Sequence, residues 1–131
     1  MAETFKLTYA TMFNPPEELH TRFDAALAQV RAGLGREYGL LIDGKDVLAA
    51  EKFEKHSPVN TDWVLGVFQK GDRSHADAAL TAARKAAPGW SRTPWQERIA
   101  LLRKAADLID ERLFSLGAAM SLEVGKNRME A

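Results

Sequence analysis

Trp95, Ile99, Leu102, Ala106, Ile109 and Leu113 follow one another at steps of four, three, four, three and four. At about 3.6 residues per turn this spacing lays one apolar stripe along a helix, with Arg98, Arg103, Lys104, Asp107 and Glu111 turned away from it. A helix of this kind has to rest its stripe on something, and the rest of the chain is read around that need. Thr93 before Pro94 marks its start: proline suits the first helical position, and Thr93 with Gln96 has the spacing of a capping box. Upstream, Ser74 and Asp77 open a shorter Ala-rich helix that Pro88 and Gly89 should end, with Trp90 packing the corner. Downstream, a third helix from about Leu113 to Val124 should stop at Gly125 in a left-handed cap.

The earlier half alternates helix and hairpin. Asn14 is a candidate cap for a helix whose first turn holds Pro15, Pro16 and Glu17. Its stripe is Leu19, Phe23, Leu27, Val30 and Leu34, and Gly33 or Gly35 ends it. Residues 1–11 show no period and read as an extended arm. Tyr38–Ile42 and Lys45–Leu48 flank Asp43-Gly44, a dipeptide suited to the positive backbone angles of a two-residue hairpin turn. Glu51–His56 and Trp63–Gln69 form a second pair around the turn residues of Pro58–Asp62. The expected fold class is mainly α with short antiparallel β-hairpins. Three segments are expected: an arm and helix over 1–36, two hairpins over 37–72, and helices over 73–131. Two hairpins with so little alternating apolar surface need outside support. A new helix start is expected at Asn127–Ala131.

Eighteen basic and eighteen acidic side chains cancel, so no whole-chain field points to nucleic acid or an anionic membrane surface. From Arg84 to Lys104 six basic residues stand against Glu97 alone, and the reading for them is a solvated helix face. The chain has no cysteine, which removes disulfides, thiolate metal sites and thiol nucleophiles. Neither a signal-peptide pattern nor a membrane-length apolar run is present in the sequence, so the expected location is cytoplasmic.

Candidate sites thin out on inspection. Gly125-Lys126 lacks the earlier glycine and the following Ser or Thr of a phosphate loop, since Met120 and Asn127 occupy those places. There is no G-x-G-x-x-G, and His20, His56 and His75 show no metal-ligand spacing. Neighbouring acids Glu17-Glu18 and Asp110-Glu111 diverge by about 100° around their helices and cannot share a substrate. The residues by themselves describe a helical and hairpin unit without a catalytic constellation.

From Tyr38 onward, however, the chain resembles the amino-terminal part of the aldehyde dehydrogenase superfamily. The likeness is carried by the Ile42-Asp43-Gly44-Lys45 hairpin, the Ser57-Pro58-x-x-Thr61 turn, the Ala-rich helix with Trp90, Gln96-x-Arg98, and Leu122-Glu123-Val124-Gly125-Lys126. Phe5, the helix over Asn14–Gly35 and the ending Asn127-Arg128-Met129-Glu130-Ala131 are similar to its glutamate-semialdehyde branch, the 1-pyrroline-5-carboxylate dehydrogenases. The resemblance implies the first part of an α/β NAD-binding domain, in an enzyme that oxidises L-glutamate 5-semialdehyde to glutamate in proline catabolism. It implies NAD as cofactor, a homo-oligomer, and a nucleophilic cysteine and general-base glutamate in the remainder of the dehydrogenase chain. No catalytic or NAD-binding residue is carried onto this segment. One metal site is: a monovalent cation at the Glu123 carboxylate and the main-chain carbonyls of Lys55 and His56, oxygen donors that suit a hard cation. The competing expectation is a self-standing helical binding or oligomerisation module without catalysis.

Overall fold

The computed structural model describes residues 14–131, so the expected arm and Phe5 lie outside the described residues. In chain order the elements are α1 (Glu17–Ala32), β1 (Glu37–Tyr38), β2 (Leu40–Ile42), β3 (Lys45–Val47), β4 (Lys52–His56), β5 (Val64–Gln69), α2 (Arg73–Arg92), α3 (Trp95–Glu111) and α4 (Leu113–Val124). Helices hold more than half of the described residues, and the strands are short, as expected.

Helix α1 starts later than its capping signal. Pro16, at φ −67° and ψ 153°, is the cap and makes no side-chain cap bond. A residue before a proline is disfavoured in the helical region, which keeps Asn14 and Pro15 from beginning the helix. Leu19 and Phe23 of the expected stripe are buried, together with Ala26. The helix ends at Gly33, and Gly35 two residues on takes φ +76°.

Leu40–Ile42 pairs antiparallel with Lys45–Val47, with Ile42 opposite Lys45. The turn between them has Asp43 at φ 51° and Gly44 at φ 73°, the two positive angles a type I′ turn requires. The expected strand Tyr38–Ile42 is broken at Gly39, where a Cβ would lie 2.8 Å from the Asp46 Cβ. The piece before the break leaves the hairpin: Glu37 and Tyr38 pair parallel with Val67 and Phe68. The result is a three-stranded sheet ordered β1-β5-β4, in which β4 and β5 are antiparallel as expected. The parallel pair was not legible from alternation. Tyr38 stacks on Phe68 at 5.1 Å between ring centroids, and its ring occupies the space a side chain at Gly66 would fill.

Helix α2 is a correction on both ends. Its cap is Asp72 rather than Ser74; the Asp72 carboxylate accepts from the His75 amide, and the His75 ring closes a reciprocal capping box. The helix then runs through Pro88 and Gly89 to Arg92. Pro88 removes one backbone donor, but α2 buries no residue, so water can satisfy the carbonyl left over. The helix stops where Thr93, preceding Pro94, turns extended (ψ 125°). The Thr93 hydroxyl donates back to Gly89 O at 3.2 Å, so Thr93 closes α2 and forms no capping box with Gln96; α3 is capped by Pro94 without a side-chain bond. Trp90 does not pack a corner: it is 52% exposed.

The core sits elsewhere. Phe23 and Ala26 of α1 pack on Ala118 of α4, flanked by Leu27, Val30 and Phe114. Burying groups of this kind contributes roughly 25 cal/mol per Å² of apolar surface. The α3 stripe takes no part: Leu102 is 70% exposed, Trp95 61% and Ile109 58%. Helix α4 ends as expected, with Gly125 at φ 74°.

Candidate functional site at the junction of β4 and α4

The end of β4 meets the end of α4. Ser57, just beyond the strand, is 1% exposed; its hydroxyl donates to Leu122 O at 2.5 Å and accepts from the Val59 amide at 3.2 Å. Leu122 O is one of the last helical carbonyls, which lack an intrahelical partner, so this hydroxyl completes the helix terminus while tying the hairpin to it. Pro58 lies against Gly125, 3.8 Å from where a Cβ there would stand.

Beside this joint is a cavity of about 180 Å³. Val30, Leu34, Tyr38, Phe68 and Leu122 supply apolar wall, and Lys55 and Glu123 supply charge. Two of the three residues expected at a cation site are thereby brought together. The His56 ring, which is not the expected donor, is engaged elsewhere: Nδ1 lies 2.7 Å from Thr61 O and Nε2 3.3 Å from a Glu54 carboxylate oxygen. The register of the β4–β5 ladder shifts between Lys55 and His56, and an irregularity of this sort releases backbone groups from regular pairing. The donors expected here, a carboxylate and main-chain carbonyls, are oxygen only, the class a hard cation takes. Among the described residues no group of three or more His, Asp or Glu is arranged to hold a metal, so a transition-metal centre has no donor set here.

A second polar knot, missed by the sequence reasoning, holds the sheet to the loop between β3 and β4. Gln69 is 5% exposed; its Nε2 donates to Glu37 Oε1 at 3.0 Å and Tyr38 O at 3.2 Å, and its Oε1 accepts from the Ala49 amide at 2.8 Å. The available signal was a lone amide closing an apolar strand. Glu37 also meets the Lys52 ammonium at 2.8 Å. Hydrogen bonds from Lys52 first, then Gln69, hold its carboxyl below the usual range. The Asp72 carboxyl is held far below its range by the Ser74 hydroxyl first, then by His75. Both carboxylates are therefore fixed acceptors near neutrality, suited to holding structure and not to exchanging protons.

Residues 47–131 match the model of the aldehyde dehydrogenase family. This chain belongs to that family. The 1-pyrroline-5-carboxylate dehydrogenase of Geobacillus thermodenitrificans is 37% identical over 109 residues, which is 83% of this chain and 21% of that protein. The 1-pyrroline-5-carboxylate dehydrogenase 2 of Bacillus subtilis is 36% identical over the same shares. Among solved structures, a mutant of the Thermus thermophilus 1-pyrroline-5-carboxylate dehydrogenase superposes with a TM-score of 0.88 at 35% identity, covering 99% of this chain and 25% of that one. A Thermus enzyme of the same name with bound NAD gives a TM-score of 0.87. The family member described here thus spans about a fifth to a quarter of the length of these relatives. Among the described residues no helix is long and apolar enough to cross a membrane.

Proposed function

We propose that this chain is the amino-terminal portion of an NAD-dependent dehydrogenase that oxidises L-glutamate 5-semialdehyde, the open form of 1-pyrroline-5-carboxylate, to L-glutamate in cytoplasmic proline catabolism. The observation that carries the reading is the superposition of nearly the whole chain on the Thermus thermophilus enzyme at 35% identity. The reaction belongs to residues outside this chain, which holds no cysteine. There a cysteine thiolate would add to the aldehyde carbon as a thiohemiacetal and, once that carbon is oxidised to the thioester level, a glutamate-activated water would release the acid and free the thiol. NAD, when bound, supplies the hydride acceptor. This portion acts as scaffold: α1 and α4 form its own core, and α2 and α3 offer their apolar sides to the rest of a homo-oligomeric enzyme.

The deciding experiment replaces the matching segment of the Thermus thermophilus relative with residues 1–131. The chimera should reduce NAD with glutamate semialdehyde, while the 131-residue chain alone should not, and thiol alkylation should leave the isolated chain unmodified. A folded chimera without activity, or turnover by the isolated chain, overturns the assignment.

The second element of the reading is a monovalent cation held by the Glu123 carboxylate and the carbonyls of Lys55 and His56. It is supported by the meeting of Lys55 and Glu123 at one cavity and by the ladder shift beside them. In the chimera, potassium or sodium in place of a bulky organic cation should raise the melting temperature, and Glu123→Gln should abolish the difference. An unchanged melting temperature in all cases rejects the site.

A further inference from the structure

Of His20, His56 and His75, only His20 faces a guanidinium. Arg128 Nη1 lies 2.8 Å from His20 Nδ1, and Nη2 of the same group donates to Asp24 Oδ1 at 2.9 Å. A guanidinium has donors only, so Nδ1 is the acceptor and His20 is the neutral tautomer with its proton on Nε2. The Nδ1 atoms of His56 and His75 instead face oxygens, Thr61 O and Asp72 Oδ1, to which a protonated ring can still donate. Residues 127–131 form a unit of their own: Asn127 Oδ1 accepts from the Met129 and Glu130 amides, a Glu130 carboxylate oxygen accepts from the Asn127 amide, and the Ala131 amide donates to Asn127 O at 3.1 Å. Among the described residues, the polar bonds from this unit to α1 are the two from Arg128, whose guanidinium carbon also stands 5.1 Å from the Phe23 ring centroid. Where the unit meets α1 and α4, Leu19, Phe23, Phe114, Gly117 and Met129 line an apolar cavity of about 150 Å³.

We propose that His20 and Arg128 form a pH-sensitive latch: a proton taken up at His20 Nδ1 removes the acceptor, sets two cations against each other, and frees residues 127–131 from α1, opening the apolar cavity. Imidazoles change charge between about pH 8 and pH 5, so the latch is closed at the upper end of that range and open at the lower. The charged groups around His20 give the direction. The turn contributes Arg128. Along α1, Asp24 stands four residues on and Glu17 three residues back, both on the face of His20; α4 presents Phe114 and Gly117, which carry no charge. Asp24 is already paired with Arg128, so the imidazolium and the guanidinium compete for one carboxylate, and Glu17 favours the imidazolium. The Arg128–Asp24 pair that survives cannot hold the unit by itself, because Asp24 is 61% exposed and solvated ion pairs contribute little. The α1–α4 core of Phe23, Ala26 and Ala118 is apolar and stays in place, so the change is a local release and not unfolding.

The test is NMR of the 131-residue chain from pH 8 to pH 5, a window above the ordinary carboxylate range. Imidazole ¹⁵N spectra at pH 8 should show His20 protonated at Nε2 alone. As His20 titrates, the order parameters of the Met129, Glu130 and Ala131 amides should fall with the same midpoint, from about 0.85 to below about 0.6, while the Ala118 amide stays rigid. His20→Asn keeps an acceptor near the place of Nδ1 without titrating, and should hold the three amides rigid at pH 5. Arg128→Met removes the donor and should loosen them already at pH 8. A proton on Nδ1 at pH 8, order that does not follow the His20 titration, a pH response that survives in His20→Asn, or rigid amides in Arg128→Met overturns the latch. The two titrations of the parent chain are compared within one molecule, so a variant that fails to fold leaves the test decisive.

Discussion

Ser57→Ala tests whether the β4–α4 joint is a structural tie. The substitution deletes one oxygen that serves two partners, donating to Leu122 O at 2.5 Å and accepting from the Val59 amide at 3.2 Å. At 1% exposure no bulk water can take its place. Each neutral hydrogen bond contributes about 1 kcal/mol net, and a buried carbonyl left without a partner adds to the loss, so the expected destabilisation is about 2–3 kcal/mol. With a urea dependence of about 2 kcal/mol per molar, the unfolding midpoint should fall by roughly 1 M. Ser91→Ala is the matched control. Its hydroxyl also donates to a backbone carbonyl, Pro88 O at 3.1 Å, but on an exposed helix, where the change should stay within about 0.5 kcal/mol. Urea unfolding of the 131-residue chain, followed by circular dichroism, reads both. Equal midpoints for Ser57→Ala and the parent, or equal losses for the two serines, would refute the reasoning.

Phe23→Ala removes the ring at the centre of the α1–α4 contact, and should cost about 3–5 kcal/mol, visible as loss of the cooperative thermal transition. Acid should weaken the fold through Asp72 and Glu37. Their folded carboxyls are depressed, so their stabilisation is complete above the unfolded range near pH 4 and disappears as pH falls toward the folded values. Asp72→Asn should flatten the decline in melting temperature measured below about pH 5; an unaltered slope rejects this account. The parent chain alone should bind a hydrophobic dye through the α2–α3 face, and Leu102→Asp should reduce the signal. A cooperative monomeric melt with no dye uptake would instead favour the self-standing helical module.

Element identity was legible wherever one local rule dominated. The Asp43-Gly44 turn, the Gly125 cap, the pairing of β4 with β5 and the α1 stripe all follow from residues within a few positions of one another. The helix start expected at Asn127 is a turn and not a helix, although the capping bonds are made: the Asn127 side chain accepts from the Met129 and Glu130 amides, and Glu130 accepts from the Asn127 amide. Where two local rules compete, the element boundary moves. At Asn14 and Thr93 a capping side chain competes with the pre-proline restriction, and the backbone restriction prevails. At Pro88 the reverse held, because an exposed helix can hand its orphaned carbonyl to water. Pairing of Glu37–Tyr38 with β5 depends on residues some thirty positions apart, and no local pattern reports it. The candidate site shows the same division. Glu123 and Lys55 are recognisable by resemblance, whereas their meeting at one cavity is a tertiary fact, and the role of Ser57 is invisible without the Leu122 carbonyl above it.

Helix α3 carries the strongest periodic signal in the chain and contributes no buried residue, and the two facts have one cause. Periodicity reports what a helix is shaped to touch, whereas burial reports what the present chain supplies. A stripe from Trp95 to Leu113 recurring over five intervals would be costly to keep on a surface that met only water, since exposed apolar area invites unselective association. On the proposed dehydrogenase reading, its counterpart is a surface with matching apolar relief. Relatives that are four to five times longer and share this backbone provide chain in which such a surface can reside. On this argument Leu102→Asp is most informative because it is silent in isolation: a substitution that leaves the melt untouched while abolishing assembly separates folding of this portion from its function.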